Sequence, residues 1–168
     1  MTDPSDTQPE LPEEAGGLAW WKQKSLAEMT RPEWESICDH CAKCCLNKME
    51  DEDDGTVYYT DIACDLLNAE TCGCGDYANR ETLVPDCLRL TMDNLDDLYW
   101  MPPSCSYRLL HEGQDLPEWH HLVTGDKASI HQAGESIGGR FVYNKTVKED
   151  DWEEHIVTWP LEMKRSVA

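Results

Sequence analysis

Basic charge is scarce in this sequence. Lys and Arg number 14 against 34 Asp and Glu, for a net charge of −20. So acidic a surface repels phosphate backbones and anionic lipid headgroups. That argues against nucleic-acid and membrane-surface binding and leaves a cation or a basic protein as the fitting partner, although acidity also serves solubility alone. No stretch approaches the ~20 consecutive apolar residues of a membrane span. The opening residues, Met1-Thr2-Asp3-Pro4-Ser5-Asp6, have neither the basic nor the apolar segment of a secretory signal. The expectation is a cytoplasmic chain whose thiols stay reduced. Also missing are a GxGxxG, a phosphate-binding loop and a nucleophile elbow. Nothing in the placement of Ser and His argues for a hydrolase, and there is no internal repeat. The acidic stretch Glu50-Asp51-Glu52-Asp53-Asp54 lacks the ligand spacing of an EF-hand and reads as a solvated loop.

What is abundant is cysteine. Cys38-Asp39-His40-Cys41-Ala42-Lys43-Cys44-Cys45 holds four thiols in eight residues, and Cys64, Cys72, Cys74, Cys87 and Cys105 follow. Nine is odd, so complete internal disulfide pairing is excluded, and ligation of a metal is preferred. A CxxC spacing lets two thiolates reach one soft metal without straining the backbone. The succession Cys38-x2-Cys41-x2-Cys44 resembles the C-x2-C-x2-C run of iron–sulfur proteins, whose fourth ligand lies elsewhere in the chain. A single zinc ion crowds three such ligands and is more often met by two separate CxxC pairs; here Cys72-Gly73-Cys74 is a CxC instead. The metal-ligand candidates are therefore Cys38, Cys41, Cys44, Cys45, Cys64, Cys72, Cys74, Cys87 and Cys105. An iron–sulfur cluster is the first choice of cofactor and zinc the alternative. Neighbouring side chains on a helix diverge by about 100°, so Cys44 and Cys45 serve one centre only if the helix has ended. Nine thiols fill two four-thiolate sites with one left over, or one site with several structural cysteines; both stay open.

The fold class expected is mainly α with little β, a small irregular cysteine-rich metal-binding domain over residues 18–168 behind a disordered acidic tail, 1–17. Capping boxes at Ser25-Leu26-Ala27-Glu28 and Thr30-Arg31-Pro32-Glu33 open two helices, the second carrying Trp34, Ile37, Cys38 and Cys41 on one face. Thr56–Ile62 and Phe141-Val142-Tyr143 read as strands. Helices are expected at Met92–Leu98, at Cys105–His111 with Gly113 as its stop, as a turn at Leu116–His121, and from Asp150 to Pro160 with Trp152, His155, Ile156 and Trp159 on one face. Lys43, Arg80, Arg89 and above all Arg108 are candidates to offset thiolate charge. His40, His120 and His121 read as surface or packing residues rather than ligands, and Asp39, Asp76 and Asp86 as turn caps.

The chain resembles the bacterial YcgN family, a branch of the broader CxxCxxCC zinc- or iron-chelating proteins. The match is carried by Trp34-Glu35-Ser36-Ile37-Cys38-Asp39-His40-Cys41-Ala42-Lys43-Cys44-Cys45 and Met49-Glu50-Asp51-Glu52-Asp53. It continues through Thr71-Cys72-Gly73-Cys74, Pro85-Asp86-Cys87-Leu88-Arg89-Leu90-Thr91, Cys105-Ser106-Tyr107-Arg108-Leu109-Leu110 and Leu116-Pro117-Glu118-Trp119-His120. It spans about residues 20 to 157 and finds cysteine at all nine expected positions; Ala42 stands where a glycine is common. The resemblance implies a cytoplasmic metal chelator and brings no reaction with it. Electron transfer, redox sensing or iron handling, a structural zinc module for protein contacts, and an enzyme built on the metal are the three classes of role left open.

Overall fold

The computed structural model describes residues 19–85, 87, 89–97 and 100–162. The expected acidic tail, 1–17, lies outside them. Short helices, many of them single 3₁₀ turns, surround a four-stranded sheet. β1 (Leu46–Glu50) and β2 (Val57–Ala63) form an antiparallel hairpin around the acidic loop. At the other edge of β2, β3 (Val142–Tyr143) pairs in parallel with Ile62 and Ala63, while β4 (Ile156–Val157) pairs antiparallel with Tyr59 and Thr60.

Thr30 caps α1 (Arg31–Ser36): its N–H donates to Glu33 Oε2 at 2.8 Å, and its hydroxyl accepts the Glu33 N–H at 3.4 Å. That helix is one residue run shorter than its apolar spacing suggests. It ends at Ile37, so Cys38 and Cys41 do not extend a helical face. The reason is backbone: His40 and Ala42 both have positive φ, 59° and 62°, and Asp39 Oδ1 accepts the Cys41 N–H at 3.1 Å. A left-handed residue cannot continue a right-handed helix. Ser25 begins only a 3₁₀ turn, Leu26–Glu28, its N–H and hydroxyl both donating to Glu28.

Further along, α2 is Arg80–Leu83 and α3 is Ser106–His111, closed by Gly113 at φ 79° as expected. The expected helix at 92–98 is a 3₁₀ turn, Leu95–Asp97, with Leu98 beyond the described residues. The turn expected at 116–121 moves on to α4 (His121–Thr124), capped by the His120 ring, and α5 is Ser129–Gln132. The last expected helix is corrected: Glu149–His155 is 3₁₀, and Ile156 leaves it to join β2 as β4.

Two apolar clusters make the core. One gathers Trp20, Trp21, Leu26, Ile37, Leu95, Met101, Cys105, Tyr107 and Leu116. The other gathers Ala42, Leu46, Tyr59, Ala63, Leu67, Cys72 and Ile137. Ile37 belongs to the first and Ala42 to the second, so residues 38–41 run between them.

Candidate metal centre

The cysteine run is irregular backbone held from both sides. Ile137 N–H donates to the Cys41 carbonyl at 3.0 Å. Lys43 is 1% exposed, and its ammonium meets Ser104 Oγ at 2.9 Å and Glu135 Oε2 at 3.3 Å. This redirects one sequence expectation, since the Lys43 charge is met by a buried carboxylate. Cys44 opens to solvent; Cys38, Cys41 and Cys45 are half-buried.

Every thiol of the run feels another. The N–H of His40 donates to Cys38 sulfur and that of Lys43 to Cys41 sulfur. Burial pushes both thiols well up, reinforced by the Asp39 and Cys44 charges. Cys45 donates to Cys44 sulfur, which lowers Cys44 and raises Cys45. Cys105 precedes α3; burial pushes it up to about 12, although the N–H groups of Arg108 and Tyr107 donate to its sulfur. Its charge reaches Cys38, that of Cys44 reaches Cys105, and Cys38 packs against the apolar cluster that holds Cys105.

Burial pushes Cys87 up; the Arg80 guanidinium counters this, while Cys44, Cys64 and Cys74 add to it. Cys45 is raised further by Cys64 and Cys87. Cys72 stands apart. It takes a positive φ of 56°, is buried, and its sulfur accepts from the Ser136 hydroxyl and the Gly138 N–H. Among the described residues, no three Cys, His, Asp or Glu side chains are already arranged to close on one ion.

A cation that sequence reasoning missed is Lys48. Its ammonium donates to the carbonyls of Leu46 (2.7 Å) and Cys44 (3.2 Å) and lies 4.8 and 5.0 Å from the Tyr59 and Trp100 ring centres. Burial pulls it down, while the Cys44, Cys45 and Cys41 charges hold it up. Only its place three residues after Cys45 could have marked it. The Arg80 guanidinium lies over the Tyr77 ring, 3.9 Å from its centre, and its charge reaches Cys87. Arg108 donates its side chain to Glu112 and the Met101 carbonyl, and it serves Cys105 through its backbone N–H. The Arg89 carbonyl accepts from Asn94.

Asp39 is buried and caps a turn, as expected, yet its charge is felt by Cys38, Cys41, Cys44 and Cys105. His40 is exposed. His120 is a packing residue: its Nε2–H donates to the Ile37 carbonyl at 2.8 Å, its Nδ1 accepts the Leu122 N–H at 3.0 Å, and His121 stacks on it at 4.4 Å. Asp76 accepts from Asn79, and Asp86 lies outside the described residues. No described helix is long and apolar enough to cross a membrane.

The thiol run falls in a domain of the CxxCxxCC class: residues 37–106 match the family model of that name, described as "Putative zinc- or iron-chelating domain". The relatives are more particular. The chain belongs to the UPF0260 family, to which YcgN-type proteins are homologous. A UPF0260 protein of Parvibaculum lavamentivorans is 59% identical over 142 residues, 84% of this chain and 93% of the relative. Those of Ectopseudomonas mendocina (56% over 143 residues; 85% and 96%) and Azotobacter vinelandii (54% over 138; 82% and 93%) are comparable. No solved structure matches the chain.

Proposed function

We propose that the chain is a metal-thiolate protein, and that Cys38, Cys41, Cys44 and Cys105 hold an iron–sulfur cluster used for electron transfer, redox sensing or iron handling. The observation that supports this is that Cys105 and Cys38 pack in the same apolar cluster, within reach of each other's charge.

The donor set fits such a group. Thiolates suit soft and borderline metals. Burial and mutual repulsion raise Cys38, Cys41 and Cys105, so the free thiolates are unfavourable until positive charge arrives. A metal supplies that charge and takes the place of the protons. N–H groups donating to the sulfurs of Cys38, Cys41 and Cys105 favour the ionised form once the proton has gone. Ser106, next to Cys105, keeps a buried hydroxyl without a hydrogen-bond partner among the described residues, one more donor beside the sulfurs. Lys48 places a cation within reach of Cys41 and Cys44. A bound cluster would supply one-electron chemistry at a potential tuned by such hydrogen bonds and charges. The protein's part is to hold four sulfurs, shield them with Trp34, Ile37 and Tyr107, and balance their charge.

Anaerobic purification tests this. A brown protein with iron and acid-labile sulfide is the expected result, and Cys38→Ser and Cys41→Ser each lose metal and stability. Colourless protein with stoichiometric zinc replaces the cluster by a structural zinc site. Full metal retention in both variants removes the run from the site.

A further inference from the structure

We propose that the cavity between segments 69–72 and 131–140 binds a small zwitterion, a molecule bearing both a carboxylate and an amine, with Arg140 and Glu70 recognising its two ends. The site stands apart from the thiol run and needs no metal.

The cavity measures about 480 Å³, within the ~300–1,000 Å³ usual for small-ligand sites. Two segments remote in sequence enclose it, and each is fixed from within. In the first, Asn68 Oδ1 accepts the N–H groups of Glu70 and Thr71 at 2.9 and 3.1 Å. In the second, His131 Nδ1 meets Ser136 Oγ at 2.7 Å, and Arg140 Nη2 donates to the carbonyls of Gly134 and Ser136. The Arg140 guanidinium also lies over the Trp159 ring, 4.0 Å from its centre. Gly138 lets the segments close on each other. A Cβ there would stand 3.3 Å from Ser136 Oγ, 3.7 Å from Cys72 Sγ and 3.8 Å from His131 Nδ1, crowding the point where they meet.

The polar groups left over define the ligand. A guanidinium has five N–H donors and no acceptor. Arg140 Nη2 is taken by the two carbonyls, while Nε and Nη1 have no partner among the described residues. Arg140 is therefore an oriented cation with donors to spare, and a planar guanidinium suits a carboxylate. Holding it in place beforehand reduces the ordering cost of binding. Ser136 gives its hydrogen to the Cys72 sulfur, so in the neutral His131 ring Nδ1–H donates to Ser136 and Nε2 is an acceptor. Glu70, exposed on the first segment, lines the same cavity, and its carboxylate has no hydrogen bond or ion pair among the described residues. One wall thus offers a cation, and the remaining groups offer an anion and an acceptor. A plain anion would meet Glu70 and a plain amine would meet Arg140; a molecule carrying both charges satisfies both. The chain's net charge of −20 also penalises a simple anion, but not a ligand of zero net charge.

The test uses the full isotope-labelled chain and a ruler of ω-amino acids from glycine to aminohexanoate, at constant ionic strength. Butyrate and butylamine are the single-charge controls. The expected result is saturable NMR shifts of the 138–140 amides and of Arg140 Nε–H. The best-fitting ω-amino acid should bind about tenfold or more tighter than either control, as loss of one charge-assisted hydrogen bond implies. Arg140→Gln should lower its affinity to that of butylamine, and Glu70→Gln to that of butyrate. Glu70 is exposed, so Glu70→Gln keeps the fold and decides the matter if Arg140→Gln does not fold. The proposal is overturned by wild type without saturable shifts, by a control that binds as tightly as every ω-amino acid, or by a Glu70→Gln protein with the wild-type preference.

Discussion

Consider replacing Lys43 by Met. The ammonium is 1% exposed and the facing Glu135 carboxylate 4%, so neither is screened by water. Removing one partner of a buried pair leaves the other uncompensated, at a cost of about 3–5 kcal/mol. For a chain of this size 1 kcal/mol moves the melting temperature by roughly 2–4 °C, so a fall of roughly 6–20 °C is expected. Glu135→Leu alone strands the ammonium and costs a similar amount. The double variant Lys43→Met/Glu135→Leu removes both charges and should regain most of the loss, because apolar replacement of a whole buried pair is often neutral. Urea unfolding of the four proteins, with metal content held equal, gives the cycle. The consequence reaches the site, since Ile137, two residues after Glu135, also holds the run through the Cys41 carbonyl. A single-variant cost below about 1 kcal/mol, or a double variant no better than the singles, would refute the idea that this pair clamps the run.

Two other predictions concern the ends of the run. Burial lowers His120 from 6.5 to about 4, so between those pH values the unfolded chain takes up a proton that the folded chain refuses. Stability should therefore fall as pH drops below about 6.5 and stop falling near 4, by about 3 kcal/mol in all; an NMR titration in which the ring titrates near 6.5 in the folded protein contradicts this. At Ala42, glycine relieves about 1–2 kcal/mol of left-handed strain. It gives up a buried methyl worth about 0.8 kcal/mol and adds about 0.4–1 kcal/mol of unfolded-state entropy. Ala42→Gly should thus unfold within about 1 kcal/mol of wild type, whereas Ala42→Val, β-branched at positive φ, should be strongly destabilised; equal urea midpoints for Val and Gly would show that the backbone has relaxed.

Local chemistry was legible in the sequence where it was self-contained. The Thr30 box and the Gly113 stop complete their hydrogen bonds within a few residues, and the β2 run is marked by its own β-branched and aromatic residues; each was anticipated. Strand β1 was not, because Leu-Asn-Lys-Met-Glu has little intrinsic preference for extended structure and pairs only because β2 lies beside it. The Trp152, His155, Ile156, Trp159 spacing suggested one helix, but tertiary pairing with Tyr59 and Thr60 drew Ile156 and Val157 into the sheet. The thiols were visible as residues; their surroundings were not. Nothing local reveals that Lys43 finds Glu135 across 92 positions, or that a register shift replaces Ile62 by Cys64 opposite Cys45.

The hairpin also separates two ends. Cys45 and Cys64 flank its base, while the acidic connection between Glu50 and Val57 sits at the far tip, about 17 Å away along five residues of strand. The tip is mostly solvent-exposed, and it closes through its own contacts, such as Gly55 N–H on the Asp51 carbonyl at 2.8 Å. It is thus a natural place to graft a tag, a fluorophore or a tether. Such an attachment reports on or immobilises the molecule without passing through the sulfur-rich base.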